Sequence, residues 1–273
     1  MSGHEAPILE LTELNKCYAA PGHGSVQALC NVNLQLYPGE CLGIVGESGS
    51  GKSTLARCIT HLEKVTSGQM FYRGKDITQL KGEPLRQLYK QVQMVFQEPS
   101  SIFNPRTSIG KFVREPLLNY KMMRRSEAET AVLRLLERVG LPAEAADKYP
   151  HELSGGEQQR AVIARAIGVQ PDIILFDEAT SALDAPIQQQ MLDLLVQLRR
   201  ETGVSCMFIS HDLAVVQKVS DRVAVMNKGE IVEVLESAKL TTAARHPYTR
   251  SLMASVLSVR KIRNEIRGTK EVI

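Results

Sequence analysis

Three short stretches carry residue types that could handle a triphosphate. The first is Gly46-Glu47-Ser48-Gly49-Ser50-Gly51-Lys52-Ser53-Thr54, which fits the pattern G-x-x-x-x-G-K-[ST]. Its glycines let the backbone wrap closely, so that successive N–H groups point at phosphate oxygens. A helix starting behind the loop adds the partial positive charge of its N-terminus. Lys52 is then placed to reach the β- and γ-phosphates, and Ser53 to ligate Mg²⁺. The second stretch is Ile173-Ile174-Leu175-Phe176-Asp177-Glu178, an apolar strand ending in two acids. Adjacent strand residues point to opposite sides, so the two carboxylates divide the work. Asp177 holds Mg²⁺ through its water shell, and Glu178 polarises an attacking water. The third is Leu153-Ser154-Gly155-Gly156-Glu157-Gln158-Gln159-Arg160. Ser154 and Glu157 form a capping box that opens a helix. Gly155 and Gly156 leave the backbone bare at that helix start, which makes a second anion site.

The elements that must position these residues are legible from hydrophobic periodicity. Ile8–Cys17 alternates apolar and polar residues like an edge-exposed strand. Pro21-Gly22-His23-Gly24 breaks it, and Gln27–Leu36 reads as a returning strand. Cys41–Val45 is a buried strand ahead of the glycine loop, and a helix runs from Lys52 to about His61. Gly68–Tyr72 and Val92–Phe96 read as further strands. From about Thr107 to Gly168 the character is helical. There Ser126-Glu127-Ala128-Glu129 is a capping box, and Val132, Leu135, Leu136 and Val139 mark one apolar helical face. Ile187–Thr202 is helical with Gly203 as its stop. Cys206–Ser210, Arg222–Met226 and Glu230–Leu235 are strands. Strands alternating with helices imply a mostly parallel sheet covered on both faces, with the helical middle inserted into it.

Composition removes several function classes. The net charge of +3 over 273 residues is too small to suggest a nucleic-acid partner. The basic-rich tail Arg260–Lys270 reads as a solvated helix face. Five scattered cysteines have neither metal-ligand spacing nor the density of a disulfide scaffold. Met1–Pro7 lacks the pattern of a signal peptide, so none is expected. No apolar run is long enough to span a bilayer, so any membrane role must come through a partner.

With the glycine loop and Leu153–Gln158 together, the sequence resembles the ABC ATPase family over nearly its whole length. The resemblance implies an α/β P-loop NTPase core with a mostly parallel sheet, an N-terminal antiparallel β part and an inserted helical subdomain. Residues 1–100 and 170–237 would form the core, 101–169 the helical subdomain and 238–273 a short helical tail. It implies ATP and Mg²⁺ as cofactors, and head-to-tail pairing in which Ser154–Glu157 of one subunit covers the γ-phosphate held by the other. On this pattern Tyr18 stacks on adenine, and Gln97 contacts Mg²⁺ or water and faces the transporter. Ser181-Ala182-Leu183-Asp184 crosses the subunit interface, and His211 senses the γ-phosphate.

Three further segments are similar to the ATPase subunits of oligopeptide, dipeptide and nickel importers: Gly43–Gly49, Val95–Pro99 with Phe103-Asn104-Pro105-Arg106, and His246-Pro247-Tyr248-Thr249-Arg250. Apart from the resemblance, the last of these reads as a helix start after Pro247, with Tyr248 as packing. The implied partners are a second ABC ATPase subunit, self or paralogue, two transmembrane permease subunits and an extracytoplasmic substrate-binding protein. The implied location is peripheral, on the cytoplasmic face of the inner membrane. The gap between Ser53 and Leu153 is too short for the coiled coil of DNA-handling relatives. A soluble accessory ATPase of a multienzyme complex remains the alternative. Cargo is not encoded in these residues.

Overall fold

Alternate residues of the central strands go to two different cores. The computed structural model describes residues 6–20 and 24–254. In chain order its first elements are β1 (Leu9–Ala20), β2 (Gly24–Leu36), β3 (Cys41–Val45) and α1 (Lys52–Ile59). Then come β4 (Ser67–Tyr72), β5 (Lys75–Asp76), α2 (Gly82–Gln91) and β6 (Val92–Val95). The helical middle holds α3 (Ile109–Asn119), α4 (Arg125–Arg138) and α5 (Gly155–Gly168). The chain returns through β7 (Ile173–Asp177), α6 (Ala185–Thr202), β8 (Ser205–Ser210) and α7 (Leu213–Val219). It continues with β9 (Arg222–Asn227), β10 (Glu230–Glu236) and α8 (Leu240–Ala243). Residues 247–254 are again helical.

Six strands form one sheet in the order β10-β9-β3-β8-β7-β6. All pairings are parallel except β10 against β9. Cys41, Val45, Ile174, Phe176, Cys206 and Phe208 face a core shared with α3–α7. Leu42, Ile44, Ile173, Leu175, Met207 and Ile209 face the other core, with α1 and the second sheet. A sheet covered on both faces needs strands that are apolar throughout, and β3, β7 and β8 are buried along their whole length.

The second sheet is antiparallel, in the order β2-β1-β4-β5. Here the sequence expectation is corrected. β1 is an interior strand between β2 and β4, not an edge. Its alternation reports one buried and one solvated face, which antiparallel sheets show at any position.

The helical middle is as expected in character, but one start signal moves. The Ser126–Glu129 capping box does not form, because α4 begins earlier and Ser126 already lies within it. Glu127 instead accepts the backbone N–H of Arg124 (3.1 Å). Glu129 pairs with Arg114 across to α3 (2.9 Å). The box at Ser154 is present: its N–H donates to Glu157 Oε2 (2.8 Å) and its Oγ accepts the Glu157 N–H (3.3 Å). Gly203 ends α6 with φ 68°, as a left-handed stop should. Pro21–His23 and the basic stretch Arg260–Lys270 lie outside the described residues.

Candidate functional site

β3, β7 and β8 are adjacent and parallel, so their C-terminal ends meet at one edge of the sheet. Open α/β sheets bind ligands at that edge. The loop 46–51 leaves β3 and enters α1 there. Gly46 is required sterically, since a Cβ would lie 2.1 Å from the Met226 carbonyl oxygen at the end of β9. Gly51 is required twice over, by φ 105° and by the Ala28 carbonyl 2.5 Å from a Cβ. The Gly229 N–H donates to the Ser50 carbonyl (2.9 Å), anchoring the loop to the β9–β10 turn. Lys52 is buried, and its Nζ donates to the carbonyls of Gly46 and Glu47, both at 2.8 Å. Ser50 Oγ is a third, longer partner (3.4 Å). Burial lowers the Lys52 pKa, with Glu178 and Asp177 opposing.

Asp177 shares its strand face with Ile173 and Leu175, toward α1. Its Oδ1 accepts the Ser53 hydroxyl at 2.9 Å. Burial raises the Asp177 pKa; the Ser53 hydroxyl works against this and Glu178 adds to it. The pair therefore offers two oxygens side by side, one of them an anion short of countercharge. That donor set fits Mg²⁺, a hard cation that takes few protein oxygens plus phosphate and water. Glu178 turns out of the strand with φ 50°, in the left-handed region. Such a conformation at a non-glycine residue costs about 1–3 kcal/mol. The Ser181 hydroxyl and N–H both donate to the Glu178 carbonyl (2.9 and 3.1 Å), and the Glu178 N–H donates to the Ile209 carbonyl (3.0 Å). These bonds lock the turn. The Glu178 carboxylate lies 3.4 Å from His211 Nδ1, at the end of β8. The glutamate is 19% exposed and the histidine 57%, so the pair opens to solvent on one side.

The remaining sequence-derived residues fall elsewhere. Tyr18 is half-buried on β1, with the Lys16 ammonium 4.6 Å from its ring centre. Gln97 is exposed two residues past β6, and no contact joins it to Ser53 or Asp177 among the described residues. Ser154, Gly155 and Gly156 line a cavity of about 830 Å³ with Arg160, Ala182 and Asp184. Asp184 Oδ1 accepts the Ile187 N–H (3.0 Å) and caps α6. Asp184 thus lines the groove of Ser154–Gly156 and is not among the partners of loop 46–54.

Two contributors escaped sequence reasoning. Gln159 is 1% exposed, and its Nε2 reaches the Phe96 carbonyl (3.4 Å), tying α5 to the segment before Gln97. Tyr248 Oη accepts the Glu47 N–H at 3.0 Å, from the far end of the chain. Neither spacing nor composition signals either contact.

Comparison with known proteins gives the family. The family model described as ABC transporter matches residues 29–181. The glutathione import ATP-binding protein GsiA of Pectobacterium atrosepticum is 47% identical over 259 residues, which is 93% of this chain and 42% of that protein. This chain therefore spans less than half of that relative's length. The oligopeptide transport ATP-binding protein AppF of Bacillus subtilis is 42% identical, over 95% of this chain and 81% of the relative. Among solved structures, a dimeric ATP-binding cassette in a post-hydrolysis state with ADP and Pi matches with a TM-score of 0.77 and 31% identity, covering 84% of this chain and 98% of that one. With its glycine loop, acidic strand end and capped helix start at Ser154 on one matching fold, the chain belongs to the ABC transporter family of ATP-binding subunits.

Proposed function

We propose that this chain binds and hydrolyses ATP as one half of a nucleotide-clamping pair that drives import of peptide-sized cargo. One observation carries the reading. Loop 46–54, the Ser53–Asp177 pair and the Glu178–His211 pair converge at one sheet edge, while Ser154–Gly156 opens into a separate groove. A second cassette facing it head to tail would complete both sites.

In this reading Lys52 and the amides of loop 46–54 other than those of Glu47 and Ser50, which bond within the chain, hold the phosphates. Tyr18 stacks on adenine with one face, its other face lying against Lys16. Ser53 and Asp177 would hold Mg²⁺, which when bound would supply positive charge to offset that of the phosphates, and Gln97 would join them only on moving toward the pair. Glu178 orients and deprotonates water for in-line attack on the γ-phosphate. Lys52 and His211 stabilise the charge that develops there. Ser154, Gly155 and Gly156 of the facing subunit close over the γ-phosphate, with its Asp184 at the interface. The insertion 101–169 is the subdomain that carries this second half-site, and Gln97 relays its motion to the membrane partner.

The cargo class follows the relatives named for glutathione import and oligopeptide transport. Among the described residues no helix is long and apolar enough to cross a membrane. We assign passage to two permease subunits at the cytoplasmic face, supplied by a substrate-binding protein outside.

Glu178→Gln in the full chain tests the catalytic assignment. ATP affinity should stay within about twofold, while turnover falls by roughly 10²–10⁴, the worth of a general base. Wild-type hydrolysis by that variant would sink the role. Affinity purification tests the load: integral membrane subunits should come down with the chain. Recovery of soluble enzyme subunits in their place would support an accessory ATPase instead.

A further inference from the structure

The peptide joining Gly46 to Glu47 is held from both sides. A trans peptide points its C=O and its N–H in opposite directions. The Gly46 carbonyl accepts the Lys52 ammonium (2.8 Å), and the Glu47 N–H donates to Tyr248 Oη (3.0 Å). No other hydrogen bond engages the Glu47 N–H among the described residues.

Tyr248 is itself fixed. It lies in the helical stretch 247–254, whose entry is tied to β10. The Glu233 carboxylate accepts the N–H groups of Arg245 (2.8 Å) and His246 (3.3 Å). His246 Nδ1 accepts the Tyr248 N–H (3.2 Å). Thr249 is 1% exposed, and Met253 is buried in the core that also packs α3–α7. The hydroxyl is therefore presented by a docked element and not by a loose tail.

We propose that Tyr248 is a positioning residue for nucleotide binding. Its hydroxyl keeps the 46–47 peptide from rotating, and so keeps the Gly46 carbonyl turned toward Lys52 and away from the phosphates. A rotated peptide would aim a carbonyl oxygen at an anion. This rests on loop 46–54 being the phosphate cradle. It assigns to the C-terminal helix a part in ATP affinity.

The test uses the full-length chain with Mg·ADP and Mg·ATP. Tyr248→Phe removes one hydroxyl and keeps the ring packed. The expected result is a rise of about 3–10-fold in the ADP dissociation constant and in KM for ATP, the span of one net hydrogen bond. The value of kcat should hold within about twofold, and the nucleotide-free melting temperature within about 2 °C. Glu233→Ala, which loosens the same element from β10, should reproduce the affinity loss. Unchanged affinity in Tyr248→Phe overturns the proposal, as does a loss that only tracks a fall in melting temperature. Lys52→Ala runs alongside. If it binds Mg·ATP like the wild type, the cradle assignment itself fails. If it loses ATP while Tyr248→Phe does not, only the role of Tyr248 fails.

Discussion

At the scale of single residues, the site holds charges where the fold disfavours them. The buried Asp177 carboxyl has its pKa raised. A raised acid favours the folded state while protonated, so its stabilising effect is present at low pH and is lost as pH rises through the folded value. At neutral pH the ionised group is a cost. Asp177→Asn should therefore raise the nucleotide-free melting temperature, while Mg²⁺-dependent turnover collapses. Calorimetry beside an ATPase assay checks both. These residues were readable in advance because each sits at a fixed offset from a buried strand end. Tyr248 was not, because its partner is 201 residues away and its ring fits a packing role equally well.

At the scale of elements, the glycines separate two kinds of constraint. Gly46 is hemmed in by this chain's own backbone, whereas a Cβ on Gly155 would meet nothing within 4 Å. Gly46→Ala should lower stability and nucleotide affinity together. Gly155→Ala should leave the melting temperature unchanged or slightly higher, since alanine suits a helix better than glycine by roughly 0.5–1 kcal/mol. Its effect should fall on ATP-driven pairing, read by light scattering with and without Mg·ATP. The central parallel strands β3, β7 and β8 were visible in the sequence as apolar runs. The place of β1 within its sheet was not, because one-sided burial gives the same alternation to edge and interior strands. β5 and α2 were missed for a different reason: β5 is two exposed residues, and α2 shows only the short stripe Leu85, Leu88 and Tyr89, of which Leu88 alone is buried.

At the scale of the whole molecule, two half-sites on one chain call for a complementation test. Lys52→Ala disables one half and Gly155→Glu the other. Neither variant alone should turn over ATP. Mixed in equal amounts they should regain measurable hydrolysis, because one mixed pairing joins an intact loop to an intact second anion site. No recovery in the mixture would count against self-pairing across these faces. The order of the central sheet has a consequence for how the protein is made. β3, which leads into the phosphate loop, is flanked on both sides by strands from the far half of the chain. At about 5–20 residues per second, the stretch from Val45, the end of β3, to Ser205, the start of β8, takes roughly 8–32 s to emerge from the ribosome. During that interval β3 has no permanent neighbour on either edge. The nascent chain must be shielded until β8 and β9 arrive, so the hazard of aggregation belongs to synthesis and not to the finished machine.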